Sequence, residues 1–144
     1  MNNENYTIAN KTDKKVLLSA IWVFAVLNYL YCDVLALMDS NLLNQFLTGT
    51  VDGMKLTQNF LFGASILMEI SISMTLLSRL LSFRVNRIAN LIASTITTLV
   101  QIATLIGKPT MYYIFFSLIE IAATSSIFII ALKWKDEKDE QLKK

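Results

Sequence analysis

The sequence predicts an all-α protein, a four-helix transmembrane bundle with a short interfacial segment in the first outer loop. Of its 144 residues, 54% are hydrophobic and only 17% are charged, and the charged residues crowd into the ends and loops. Four apolar runs each supply the roughly 20 helical residues needed to cross a bilayer core about 30 Å thick. We therefore expect a single membrane domain over residues 1–144 rather than a soluble core.

Polar or turn-forming residues separate the four runs. The first run follows Lys14 and Lys15, but it is longer than a signal-peptide core of about 7–15 residues, so we expect it to be retained. Gly107 and Pro109 predict a tight turn that joins the last two helices as a hairpin, with Thr110 capping the second of them. The predicted helices are about 16–38, 57–80, 85–106 and 110–133, and the predicted tails are 1–15 and 134–144.

The loop after the first helix is longer and has two local signals. One helical face would carry four apolar side chains, as in a short helix lying in the membrane interface: Leu42, Leu43, Phe46 and Leu47. Asp52 and Gly53 form the signature of a two-residue β-turn. These signals predict a small cap on the outer face, and a simple linker with turn residues is the alternative.

Basic residues predict that both termini are cytoplasmic. Eleven of the thirteen Lys and Arg residues lie in the two tails and the second loop, whereas the first and third loops hold only Lys55 and Lys108. Cytoplasmic segments of membrane proteins carry such an excess of positive charge.

Three acids lie within the predicted spans, namely Asp33, Glu69 and Glu120, and the central parts of the spans contain no Lys, Arg or His. An acid at mid-bilayer costs roughly 2.5–3.5 kcal/mol on insertion scales and indicates a functional site by default. Glu69 and Glu120 each fall near the midpoint of helices that run in the same direction. We expect them to pair at one level, and a purely structural, hydrogen-bonded pair is the alternative.

Other polar residues extend this candidate ion-binding site. Asp33 and Gln101 each precede a predicted outer helix end by five residues, which would form a second polar layer at the outer mouth. Asn28 falls near the midplane and Asn90 lies closer to the cytoplasm. If all of them face inward, they form a discontinuous polar path across the bundle.

Helical spacing favours inward-facing polar stripes in three helices. The alternative is ordinary packing, because small and hydroxylated residues are common where membrane helices meet. Residues 67–73 also align with 118–124 and superpose the two glutamates, which suggests two parallel hairpin repeats. The stripes are Asn90, Ser94, Thr97, Gln101 and Thr104; Ser65, Glu69 and Ser73; and Ser117, Glu120 and Thr124.

Several segments also carry a family resemblance: residues 31–33, 48–53, 67–70, 78–79, 86–90 and Glu120. Together they resemble a family of small bacterial four-span membrane proteins described only as a domain of unknown function. The resemblance covers about residues 16–134. It implies the four-helix fold and a bacterial inner (plasma) membrane location, and it implies no activity. Similarity to small multidrug-resistance transporters is weaker, because the glutamates here lie in the second and fourth spans.

Composition argues against most enzyme classes. The absence of His and the single Cys32 leave no redox pair, no His-based catalytic group and no usual zinc or haem site. The sequence has no phosphate-binding Gly-rich loop. We expect no cofactor, no bound metal and no nucleic-acid partner, and an enzyme is disfavoured.

Two functions fit the acids. The first is a small proton- or cation-linked transporter or channel-like protein that uses the paired midplane glutamates. The alternative is a non-enzymatic membrane interaction or assembly protein, in which the acids pair with a partner helix. The expected partners are the lipid bilayer, a proton or small ion, and either further copies of the chain or another membrane protein.

Overall fold

The computed structural model describes residues 14–107 and 109–135. The predicted tail segments 1–13 and 136–144, together with Lys108, lie outside the described residues. The described part is helical apart from one ribbon of two short strands, which confirms the predicted all-helical class. Its elements are α1 Lys14–Met38, α2 Ser40–Thr48, β1 Thr50–Val51, β2 Met54–Lys55, α3 Gln58–Leu80, α4 Phe83–Thr104 and α5 Met111–Lys133.

The four long helices form a ring in which α1 contacts α3, α3 contacts α4, α4 contacts α5, and α5 contacts α1. In the described part of the chain, the diagonal pairs α1 and α4, and α3 and α5, make no backbone contact. The turn from α3 to α4 lies at the same end as Lys14 and Lys133, and we call this the basic end. The opposite end carries α2 and the ribbon, and we call it the cap end.

Three of the described helices are long and apolar enough to cross a membrane, namely α1, α3 and α5. α4 has 22 residues, but it is not apolar enough to be counted with these three helices. It carries Arg84 and Arg87 near its start and a row of polar residues along one side.

The helix bounds differ from the predicted ones by one or two residues. α1 already includes Lys14 and Lys15, two residues before its predicted start. α4 spans Phe83–Thr104 instead of 85–106, because Ser82 already has the extended backbone of an N-cap residue. Thr57 and Thr110 are the N-cap residues of α3 and α5. The Thr57 hydroxyl accepts a hydrogen bond from the Phe60 amide at 3.2 Å, whereas Thr110 makes no side-chain cap.

The predicted helix in the first loop is present as α2. Asp39 caps its start and accepts hydrogen bonds from the amides of Asn41 and Leu42 at 3.0 and 3.3 Å. Gly49 ends the helix in the left-handed conformation, with φ 71°, which glycine adopts without steric cost. Leu42 is half-buried against the chain and Leu47 is exposed, so α2 presents apolar side chains to its surroundings.

The ribbon after α2 contains the predicted turn. β1 pairs antiparallel with β2, and Asp52 and Gly53 both have positive φ, 48° and 82°, as a type I′ turn requires. The Gln45 side chain accepts a hydrogen bond from the Asp52 amide at 2.8 Å. This contact ties the ribbon to α2, so the two elements form one small cap.

Apolar packing concentrates toward the basic end. The buried cluster there consists of Leu18, Trp22, Met74, Ala93, Ile127 and Trp134. Two basic side chains also bind helix ends: Lys15 donates to the Leu81 carbonyl at 2.7 Å, and Arg87 donates to the carbonyls of Ala131 and Leu132 at 3.1 and 3.0 Å. Cations at helix C-termini satisfy free carbonyls and interact favourably with the helix dipole.

Candidate functional site

Glu120 is the most deeply buried acid in the described part of the chain. It lies near the middle of α5 and is only 1% exposed. Its Oε1 atom is buried without a hydrogen-bond partner, and it is the one such side-chain atom among the described residues. Buried polar atoms are normally paired, so an unpaired one needs a reason.

Two hydrogen-bonded bridges from α4 to α5 flank Glu120 along its helix. On the cap side, Gln101 donates to the Ser117 hydroxyl at 2.8 Å. On the basic side, the hydroxyls of Thr98 and Thr124 are joined at 2.7 Å. These bridges hold the two helices together around the acid and leave its Oε1 atom without a hydrogen-bond partner.

α1 supplies the side chains that face Glu120. Asp33 lies close enough for its charge to act on Glu120, and the Tyr29 hydroxyl lies near the same carboxyl and interacts with Thr97 of α4. Tyr113 of α5 lies near both acids. We call Asp33, Glu120, Tyr29 and Tyr113 the acid site. Asp33 is exposed at its edge, so the site connects with the surroundings of the bundle.

A second polar group lies between the acid site and the basic end. Trp22 Nε1 donates to Asn90 Oδ1 at 2.8 Å, and Ser78 donates to the same oxygen at 3.3 Å. Asn90 Nδ2 donates to Asn86 Oδ1 at 2.6 Å, and Asn86 donates to the Ser78 carbonyl at 2.6 Å. We call these four residues the amide cluster. It joins α1, α3 and α4 and closes the interior toward the basic end.

The structure does not bring Glu69 together with Glu120. α3 and α5 occupy opposite corners of the ring and make no backbone contact. Glu69 points away from the interior and is exposed, and its carboxylate accepts a hydrogen bond from Ser73 at 3.3 Å. The expected pair of midplane glutamates is therefore not formed within one chain. Asp33, rather than Glu69, is the acid whose charge acts on Glu120.

The remaining predicted residues separate into different environments. Gln101 is buried next to the acid site through its bond to Ser117. Asn90 is buried in the amide cluster, away from the acids. Asn28 is half-buried and donates to the Phe24 carbonyl of its own helix at 2.8 Å. Neither asparagine continues the polar path into the acid site.

The chemistry available to the acid site is proton exchange. Carboxyl and hydroxyl groups both accept and donate protons, and a proton moves between neighbouring oxygen atoms without needing a cavity of its own. Within residues 14–107 and 109–135, no three Cys, Asp or Glu side chains are grouped as metal ligands.

The sequence matches one family model over residues 7–141, described as "Family of unknown function (DUF6326)". The chain belongs to this family. The match contains every segment on which the sequence resemblance rests, from residues 31–33 to Glu120, and it confirms the resemblance to a family without assigned function. Comparisons with curated proteins and with solved structures gave no match.

In this family member, two residues of the acid site escaped the sequence-based prediction. Tyr29 stands one helical turn before Asp33, and that spacing is a signal that its hydroxyl can face a polar interior. Tyr113 has the position of an interfacial aromatic residue near a helix end. Only the pairing of α1 with α5 shows that both rings lie near the same acids.

Proposed function

We propose that the chain is a four-span membrane protein that moves protons, alone or coupled to a cation, through the acid site. The basic end faces the cytoplasm in this proposal, and the protein resides in the inner (plasma) membrane. The observation that carries the proposal is the buried, unpartnered Oε1 atom of Glu120.

The distribution of polar residues supports the membrane part of the proposal. α4 buries Asn86, Asn90 and Gln101, whereas Ile88 and Ile92 on its opposite side are 57% and 56% exposed. A helix in water would have the reverse arrangement. A polar side turned inward and an apolar side turned outward suit a helix that faces lipid. We therefore count α4 as a span beside α1, α3 and α5.

The surroundings of Glu120 support the proposal that the protein moves protons. No basic side chain occupies the central parts of the spans, so an ionised Glu120 would have no cationic neighbour from its own chain. Burial leaves little space for a hydrated ion around this carboxyl group. A proton neutralises the acid without requiring such space. Asp33, at the exposed edge of the acid site, is the group that would exchange this proton with Glu120.

The amide cluster gives the proposed path a direction. Trp22, Asn86 and Asn90 fill the interior between Glu120 and the basic end, whereas Asp33 lies on the cap side of α1. In this proposal, the described conformation is the state in which the acid site opens away from the basic end. Transport then requires the amide cluster to open in a second state, as alternating access demands.

Proton flux in liposomes tests the proposal. The purified full chain is reconstituted with pyranine inside the vesicles, and internal pH is followed after gradients of Na⁺, K⁺ or tetraphenylphosphonium are imposed. We expect flux above that of empty liposomes and its loss in Glu120→Gln, since Gln preserves the shape of the side chain but cannot release a proton. Glu69→Gln is the matched control and should retain flux.

Two results would contradict the proposal. One is wild-type flux equal to that of empty liposomes under all three gradients and under a plain pH gradient. The other is full activity of Glu120→Gln. Thermal unfolding of both Gln variants in detergent shows that each remains folded before the flux data are interpreted.

A further inference from the structure

The outer side of α3 carries an acid that the bundle does not cover. Glu69 is at the middle of α3 and is exposed. Its hydrogen bond in the described structure comes from Ser73 of its own helix at 3.3 Å. A carboxyl group facing hydrocarbon at this depth is unfavourable unless another polar group meets it.

Among the three apolar helices α1, α3 and α5, α3 has the fewest buried residues. Only 11% of its central apolar window is buried inside the structure, compared with 22% for α1 and 33% for α5. Its hydrogen bonds to α4 involve Ser78, Asn86 and Asn90, all toward the basic end. The middle of α3 therefore presents a broad surface to whatever lies beside the bundle.

We propose that this surface is the interface with a second copy of the chain, related by a two-fold axis along the membrane normal. Its centre is the stripe Ser65, Glu69 and Ser73, which we call the Glu69 stripe. The inference concerns assembly and goes beyond the proposed proton movement at Glu120.

The hydrogen-bonding groups of the Glu69 stripe are self-complementary. A two-fold axis along two parallel helices places each residue opposite its own copy, so Glu69 meets Glu69. A carboxyl group offers two oxygen atoms, and each serine hydroxyl both donates and accepts, so facing copies of the stripe supply hydrogen-bond partners for each other. Ser65 and Ser73, one turn away on either side, add donors and acceptors. No basic residue from another protein is needed.

The shape of this surface is also self-complementary. A groove of about 320 Å³ runs along one side of Glu69 and is lined by Ile66, Glu69, Ile70, Ser73, Met74 and Leu77. On the other side stand Ile72 and Leu76, which are 45% and 59% exposed. The two-fold axis brings the ridge of each copy to the groove of the other. Packing of this kind drives helix association in lipid, where burial of apolar surface contributes little.

Cysteine crosslinking of the full chain in lipid membranes tests the interface. In a Cys32→Ala background, Ser65→Cys or Ser73→Cys should form disulfide-linked dimers on mild oxidation. Leu118→Cys is the matched control, since Leu118 is 60% exposed near the middle of α5, and it should crosslink at least fivefold less. The dimer band should have twice the mass of the chain by mass spectrometry.

Variants of Glu69 test the role of the carboxyl pair. With Ser73→Cys as reporter, Glu69→Gln should preserve crosslinking because amides also pair, and Glu69→Leu should lower it at least tenfold. Four results would overturn the proposal: no crosslinking at either serine position, equal crosslinking at Leu118, crosslinking to a different protein, or unchanged crosslinking in Glu69→Leu. The two serine variants keep Glu69 intact, so the test holds even if Glu69→Leu does not fold.

Discussion

Asn90 and Glu120 are both buried in the interior of the bundle, yet their hydrogen bonding differs. Asn90 uses its amide oxygen and its amide nitrogen within the amide cluster. Glu120 keeps one carboxylate oxygen unbound. A satisfied buried side chain stabilises one arrangement of the helices, whereas an unsatisfied one is free to bind something else. This difference is why the proposed function rests on Glu120 and not on Asn90.

Replacing Asn90 with Ala should destabilise the protein. The change removes contacts to Trp22, Ser78 and Asn86, and at roughly 0.6 kcal/mol for each hydrogen bond in a membrane protein the loss is about 2 kcal/mol. The free energy of unfolding, measured by titration with SDS, checks this value.

Asn28→Ala is the control for Asn90→Ala. Asn28 donates only to a carbonyl of its own helix, so its replacement should change the unfolding free energy by less than about 0.5 kcal/mol. Equal destabilisation by the two variants would show that the amide cluster contributes nothing specific.

At the scale of elements, the polar stripe of a helix predicted the buried side in two cases and failed in the third. In α4, Asn90, Ser94, Thr97 and Gln101 are buried, and in α5 the stripe of Ser117, Glu120 and Thr124 is buried. The amide side chains Asn90 and Gln101 of α4 and the carboxyl group of Glu120 in α5 lie on the buried side, so the sequence indicates which side turns inward, although Thr95, Thr104 and Ser126 are exposed.

α3 has two polar sides, and this explains the incorrect prediction for Glu69. Ser71 and Ser78 form a second stripe, and this one is buried with Met74, while Glu69 and Ser73 turn away. Lipid provides no hydrophobic driving force that would choose between two such sides. The choice depends on how closely α1 can approach, which a single helix sequence does not reveal. The local similarity of 67–73 to 118–124 therefore does not extend to burial.

Helix ends were more predictable than the buried side of a helix, because they depend on local chemistry. The turn at Asp52 and Gly53 and the N-cap position of Thr110 were predicted from residue type, although Thr110 makes no side-chain cap hydrogen bond. The binding of Arg87 to the end of α5 does not, since it joins residues 44 and 45 positions apart.

Arg87→Gln should loosen the last turn of α5. The variant loses both hydrogen bonds to the Ala131 and Leu132 carbonyls and the favourable charge at the helix C-terminus, together worth about 1 kcal/mol. Hydrogen exchange measured by mass spectrometry should accelerate about fivefold in residues 130–133, since 1.4 kcal/mol corresponds to about tenfold. Arg84 is exposed, and Arg84→Gln should leave exchange there unchanged. Equal acceleration in both variants would contradict a specific role of Arg87.

At the scale of the whole molecule, the bundle encloses polar side chains and displays apolar ones. Asn86, Ser94 and Glu120 are at most 1% exposed, whereas Phe62 and Leu99 are 68% and 61% exposed. This arrangement gives the interior its proposed function, because protons need polar groups and the bilayer excludes them elsewhere.

Chemical labelling should establish the orientation of the bundle. Asp52→Cys at the cap end should react with a membrane-impermeant maleimide in intact cells, and Ser82→Cys at the basic end should react only after the membrane is disrupted. The native Cys32 is buried and contributes little background. A reporter fused after Lys144 should be active in the cytoplasm. The opposite labelling pattern would reverse the orientation and the proposed direction of access.

The contact between α1 and α5 has a consequence for biosynthesis. These are the first and last helices of the described chain, and a ribosome delivers them in that order. Asp33 and Tyr29 enter the membrane early, while Glu120 and Tyr113 arrive only with the final hairpin. The acid site thus cannot exist in any nascent intermediate. The proposed proton path is therefore complete only after the last of these helices has entered the membrane.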